Sequence, residues 1–72
     1  MKTHLVTKSG PGRVRIEMHS AQGMAWAEES PMGALVSAYA IADSAARAAQ
    51  KAGNPFPAHV LQAIAALRGA AA

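Results

Sequence analysis

The sequence predicts an α+β fold: a three-stranded antiparallel meander packed by one long alanine-rich helix and a short C-terminal helix. Two observations support this prediction. Residues 13–20, RVRIEMHS, alternate apolar and polar side chains, which is typical of a strand with one buried and one solvated face. The stretch from Ser30 to Gly53 has a helix start signal, apolar residues at helical spacing and a helix stop signal. We therefore expect strands before residue 30 and helices after it.

Three short strands are expected, joined by tight turns, at about residues 3–8, 13–20 and 24–29. The segment SGPG, residues 9–12, supplies the first turn, because Pro11 fixes its own φ and Gly12 tolerates a positive φ. The segment AQG, which ends at Gly23, supplies the second turn. Consecutive strands joined by tight turns form an antiparallel meander in sequence order.

Two helices are expected, at about residues 31–52 and 57–68. Ser30 is a favourable N-cap, and Pro31 suits the first helical position. Gly53 is a natural residue to follow the end of the first helix. The segment NPFP makes a rigid corner before the second helix, which is expected to end at Gly69.

The long helix has an apolar stripe that is expected to be buried against the sheet. Its members are Met32, Leu35, Val36, Tyr39, Ala42, Ala46 and Ala49. Beyond Ile41 the stripe is nearly all alanine, so this half needs bulky residues from elsewhere to lie upon. On the polar face, Asp43 and Arg47 have the spacing of a helical ion pair. Together the elements are expected to form one small domain over residues 1–72.

The face on which Trp26 lies depends on the length of the second turn. If residues 21–23 form a three-residue loop, Trp26 lies opposite Met18 on the apolar face. If residues 22–23 form a two-residue turn, Trp26 lies opposite His19 on the polar face. The second register also sets two glutamates opposite each other, which is unfavourable. We therefore expect the first register, with Trp26 in the core or at its edge.

Length and composition limit the chain to a small core. A chain of 72 residues buries only about 60 % of its unfolded surface, and the absence of cysteine removes disulfides and thiolate metal sites. Self-association into a homo-oligomer is therefore an expected supplement. The segment MKTHLVTK lacks the apolar core of a secretory signal. The charge-free stretch over residues 30–42 is shorter than the roughly 20 residues that cross a bilayer. We expect a cytoplasmic protein without membrane association.

No catalytic constellation stands out in the sequence. The serines lie at turns, at a helix cap and on a helix face, where each has an adequate local reason. Glu17 and His19 share a strand face, and His4 is expected close by, but the fourth ligand of a structural zinc site is missing. Glu28 and Glu29 precede a helix start, where their charge favours the helix dipole. We expect no enzymatic activity, no metal and no cofactor.

Basic side chains are the best candidates for contact with a partner. The predicted contact residues are Arg13, Arg15 and His19 on one strand face, with Arg47 and Lys51 on the long helix. Lys8 and His4 are expected near the strand group. A net charge of +3 permits contact with nucleic acid or with an acidic protein surface. The ordinary alternative is a solvated charged face that binds nothing.

Residues 11–55, PGRVRIEMHSAQGMAWAEESPMGALVSAYAIADSAARAAQKAGNP, resemble in layout some very small phage-encoded proteins. Among these are certain anti-CRISPR inhibitors of the type I surveillance complex. The shared elements are a Pro-Gly turn, a V-x-I strand, a Gly-containing turn, a Pro-started alanine-rich helix and a Gly-Asn-Pro stop. The resemblance implies a non-enzymatic inhibitor that docks on a host protein or ribonucleoprotein complex. The alternative is a small basic regulator that binds nucleic acid.

Overall fold

The structure, a computed structural model, describes residues 3–71 and has three strands followed by two helices. The elements are β1 (His4–Gly10), β2 (Arg13–Ser20), β3 (Gly23–Glu29), α1 (Pro31–Lys51) and α2 (Ala58–Ala71). The strands form one antiparallel sheet in the order β1-β2-β3. The predicted α+β class and the predicted meander are therefore confirmed.

The first hairpin turn is shorter than the predicted four-residue segment. Gly10 pairs with Arg13, so that only Pro11 and Gly12 lie between the strands. Proline suits the first position of such a turn, and Gly12, with a φ of 73°, suits the second, where a side chain would be strained. The strand β1 consequently extends to Gly10, two residues beyond its predicted end.

The second hairpin has a register that differs from both predicted ones. Ser20 pairs with Gly23, which leaves Ala21 and Gln22 as the two-residue loop. The Ser20 side chain closes the loop, since its Oγ accepts a bond from the Gln22 N–H (3.3 Å) and donates one to the Gly23 carbonyl (3.4 Å). Gly23 itself has a φ of 134°, a conformation that glycine adopts readily. The glycine therefore begins β3 instead of ending the loop.

This register decides which side chains share each face of the sheet, because directly paired residues project on the same side. The face that we call the charged face consists of His4, Val6, Lys8, Arg13, Arg15, Glu17, His19, Met24, Trp26 and Glu28. The opposite, apolar face includes Leu5, Val14, Ile16, Met18, Ala25 and Ala27. The predicted place of Trp26 in the core is therefore wrong: Trp26 lies opposite Glu17 on the charged face.

Both ends of α1 have the predicted caps. The Gly33 N–H donates to Ser30 Oγ (3.0 Å), which confirms Ser30 as the N-cap. At the other end Gly53 has a φ of 78°, and its N–H donates to the Gln50 carbonyl (3.0 Å). The Asn54 N–H donates to the Ala49 carbonyl (3.0 Å), which completes a Schellman motif.

The second helix is longer than predicted. It begins at Ala58 and runs through Gly69 to Ala71, so the predicted end at Gly69 is wrong. Glycine ends a helix where its own φ is positive, and the φ of Gly69 is not positive. Its intrinsic penalty of about 1 kcal/mol is insufficient to stop the helix when alanines follow.

The chain divides into two compact units, the first ending at Ala34 and the second beginning at Leu35. No residue of either helix is buried, and the packing of the α1 stripe against the sheet stays a prediction. The alanine half of the stripe offers little apolar area per residue, which limits the free energy that its burial would contribute to stability. The single domain over residues 1–72 stays a prediction. None of the described helices is long and apolar enough to cross a membrane.

Replacing Ser30 by alanine should lower the free energy of unfolding by about 1 kcal/mol, because the Gly33 N–H loses its acceptor. Urea unfolding followed by far-ultraviolet circular dichroism measures the loss. The matched control is Ser44→Ala, an exposed position inside α1, where alanine is the better helix former. Equal losses in both variants would contradict a capping role for Ser30.

Candidate functional site

Glu17 lies at the centre of the charged face and is 5 % exposed, the one buried side chain among residues 3–71. It belongs to β2, the central strand, and its direct neighbours are Val6 on β1 and Trp26 on β3. Flanking side chains on both neighbouring strands therefore shield the carboxylate from water. A buried carboxylate requires compensating charge and hydrogen bonds, and the face supplies both.

Three basic side chains surround the Glu17 carboxylate. Arg15 Nε lies 2.7 Å from Oε2, Lys8 Nζ lies 3.5 Å from Oε2, and His19 Nε2 lies 2.9 Å from Oε1. Hydrogen bonds from His19 and then Arg15 lower the pKa of Glu17 to about 2, with help from the charges of Lys8 and Arg15, while burial acts in the opposite direction. Glu17 therefore stays ionised and holds the three basic groups in place.

Trp26 is 55 % exposed on the same face, although it is the only tryptophan of the chain. The Arg15 guanidinium carbon lies 4.0 Å from the centroid of its ring, a cation–π contact. Arg15 is thus held both by the Glu17 carboxylate and by the indole ring. This double contact fixes Arg15 and Trp26 relative to each other.

Two further pairs lie at the two ends of the charged face. At one end the His4 and His19 rings are stacked, with centroids 5.1 Å apart and planes inclined by 11°. At the other end Arg13 Nη1 lies 3.2 Å from Glu28 Oε2. The side chains of Arg13 and Lys8 are 68 % and 65 % exposed, so both cations are accessible. Glu17 is buried and not accessible, so the accessible charge of the face is mainly positive.

The structure brings together Arg13, Arg15 and His19, the strand residues that the sequence predicts as contacts. Lys8 and His4 share their face, as expected. The other two predicted contact residues, Arg47 and Lys51, lie on α1. Arg47 Nε is 2.9 Å from Asp43 Oδ2, which confirms the predicted ion pair within that helix.

Sequence reasoning missed Trp26 and Met24 as members of this face. The available signal was the pattern SAQG: a serine able to close a two-residue loop, followed three residues later by glycine. Of the described residues 3–71, no three His, Asp or Glu side chains are arranged to hold a metal ion.

Comparison with known proteins gives no relative to reason from: no family model, no curated protein and no solved structure matches this chain.

Proposed function

We propose that the chain is a non-enzymatic, cytoplasmic protein that binds nucleic acid through the charged face of its sheet, without a cofactor. The observation that carries the proposal is the position of Trp26, half exposed among the basic residues Lys8, Arg13 and Arg15. Exposed aromatic side chains on a basic sheet are typical of surfaces on which nucleic acid bases stack.

The basic side chains supply the contacts to phosphate. Lys8 and Arg13 extend into solvent near the first hairpin turn, and Arg15 lies beside the tryptophan. Phosphate contacts of this kind supply most sequence-independent affinity, because each releases condensed counterions. The chain's net charge of +3 acts in the same direction at longer range.

The two carboxylates of the face are compatible with an anionic ligand. Glu17 is buried beneath Lys8, Arg15 and His19, so it holds these side chains rather than meeting the ligand. Side chains that are already ordered lose less conformational entropy on binding. Glu28 is paired with Arg13 in an exposed contact, which contributes little and is readily exchanged for a phosphate.

A second candidate function is inhibition by docking on a host protein or ribonucleoprotein complex. The observation that favours it is the composition of the exposed patch: Trp26, Arg15 and Met24 are residue types enriched at the centres of protein interfaces. The resemblance to anti-CRISPR inhibitors stays a prediction on this account, and so does the homo-oligomer.

The test of the first function is direct binding of the purified protein to a labelled, mixed-sequence oligonucleotide, followed by fluorescence anisotropy. We expect the logarithm of the affinity to fall linearly with the logarithm of the salt concentration. For two or three phosphate contacts the slope is about −1.4 to −2.1 on a single strand. Absence of binding at low salt, or an affinity independent of salt, would contradict nucleic acid binding.

The second function is tested by capture of partners from lysate on the tagged protein, with and without nuclease. A discrete protein complex that remains after nuclease treatment and binds the purified chain would support docking on a protein. Recovery of nucleic acid alone, lost with nuclease, would contradict it.

A further inference from the structure

We propose that the charged face binds single-stranded rather than duplex nucleic acid, with one base stacked on the exposed part of the Trp26 ring. This inference rests on the proposed function and specifies its ligand. Lys8 and Arg13 would hold phosphates that flank the stacked base.

The exposed ring of Trp26 suits an unpaired base better than a paired one. Stacking requires access to the flat face of a base, which is free in a single strand but covered by neighbouring base pairs in a duplex. A duplex offers a protein its phosphates and the edges of its bases. Because Trp26 is half exposed and lies on β3, an edge strand of the sheet, an unpaired base can reach its ring.

The ring of Trp26 is already held by Arg15. The Arg15 guanidinium lies 4.0 Å from the ring centroid and is also bonded to Glu17. The indole is thus held in one orientation, which reduces the entropy lost when a base stacks on it. Since the guanidinium covers one face of the ring, the stacked base would use the opposite face.

The distance from Lys8 to Trp26 suits a short ligand. Lys8 pairs with Arg15, and Arg15 pairs with Glu28, two residues along β3 from Trp26. Two strand spacings and two residues separate the Lys8 and Trp26 backbones, roughly 12 Å. Long, flexible basic side chains span part of this gap, so the face fits a short segment of single-stranded nucleic acid and needs no groove. Sequence preference should be weak, since every base has a face that stacks.

The test uses Trp26 itself, because the only tryptophan of the chain is the only indole fluorophore. The full-length protein is titrated with one strand of a mixed-sequence oligonucleotide and, in parallel, with the duplex that contains that strand. We expect the single strand to quench the fluorescence and to bind at least about tenfold more tightly than the duplex, since a duplex must pay unstacking to reach the ring.

Three variants distinguish aromatic stacking from the contribution of an apolar side chain without a ring. Each is measured by anisotropy after its circular dichroism spectrum is matched to that of the native protein. Trp26→Phe should retain most of the affinity, whereas Trp26→Ala should lose about 5- to 150-fold, the range of one base–aromatic stack. Trp26→Leu keeps an apolar side chain without an aromatic ring and should lose nearly as much. It therefore decides the question even where the alanine variant fails to fold.

The outcomes distinguish the two proposals. Equal binding of strand and duplex, or native affinity in Trp26→Leu, would overturn the single-strand inference and leave nucleic acid binding intact. Failure of both ligands to bind at low salt would overturn the proposed function itself.

Discussion

Replacing Lys8 and Arg13 together by glutamine should weaken binding of a single-stranded oligonucleotide about 25-fold at 0.1 M salt. Each phosphate contact contributes about 0.7 to the salt slope, which amounts to a factor of about five between 1 M and 0.1 M salt. The same double variant should lower the magnitude of the slope by about 1.4. Both side chains are exposed, and Glu17 keeps its closer contacts with Arg15 and His19, so the sheet itself should be little affected.

Two comparison variants show whether this loss belongs to the charged face. Arg68→Gln on α2 makes the same change in charge as either single substitution and should leave the affinity nearly unchanged. The double variant Arg47→Gln with Lys51→Gln matches the charge of the first double variant and tests the helix residues that the sequence predicts as contacts. A loss as large as that of the sheet variant would show that affinity follows the net charge of the chain.

Acidification should destabilise the sheet as Glu17 takes up a proton. The pKa of Glu17 is lowered from 4.5 to about 2 in the folded protein, chiefly by hydrogen bonds from His19 and Arg15. Between these values the unfolded chain binds more protons than the folded one, so stability from this group is complete above pH 4.5 and disappears as the pH falls towards 2. The free energy of unfolding in urea, measured across this range, should therefore decline.

The variant Glu17→Gln isolates this contribution, because its amide has nearly the same shape and does not ionise. It should be less stable than the native protein at neutral pH and should lose less stability between pH 4.5 and 2. The matched control Glu28→Gln removes a carboxylate of the same face whose ion pair with Arg13 is exposed, and it should leave the stability at neutral pH nearly unchanged. An unchanged pH profile in Glu17→Gln would contradict the role assigned to the cluster.

Most elements of the fold could be predicted from local signals. Strict alternation in RVRIEMHS fixes β2, and the Ser30-Pro31 pair fixes the start of α1, because each depends on only a few adjacent residues. The grouping of Arg13, Arg15 and His19 followed from the same alternation. Nothing beyond the strand pattern was needed for that part of the site.

The remaining features depend on the register of the strands and on non-local packing. A shift of one residue in the second hairpin transfers every β3 side chain to the other face, so the position of Gly23 decides whether Trp26 meets Met18 or Glu17. Helical periodicity placed Met32 and Val36 on a stripe, yet both are exposed, because a stripe marks a surface that can be buried without supplying the surface that covers it.

The position of Glu17 on the central strand has a kinetic consequence. Arg15, Glu17 and His19 form a row along β2, whose backbone is paired on both sides, whereas β1 and β3 each have one free edge. When an edge strand frays, hydrogen exchange should begin there and reach β2 last. Release of β3 carries Trp26 away but leaves that row together. The face thus keeps the basic side chains of β1 and β2 through openings that remove Trp26 and Glu28.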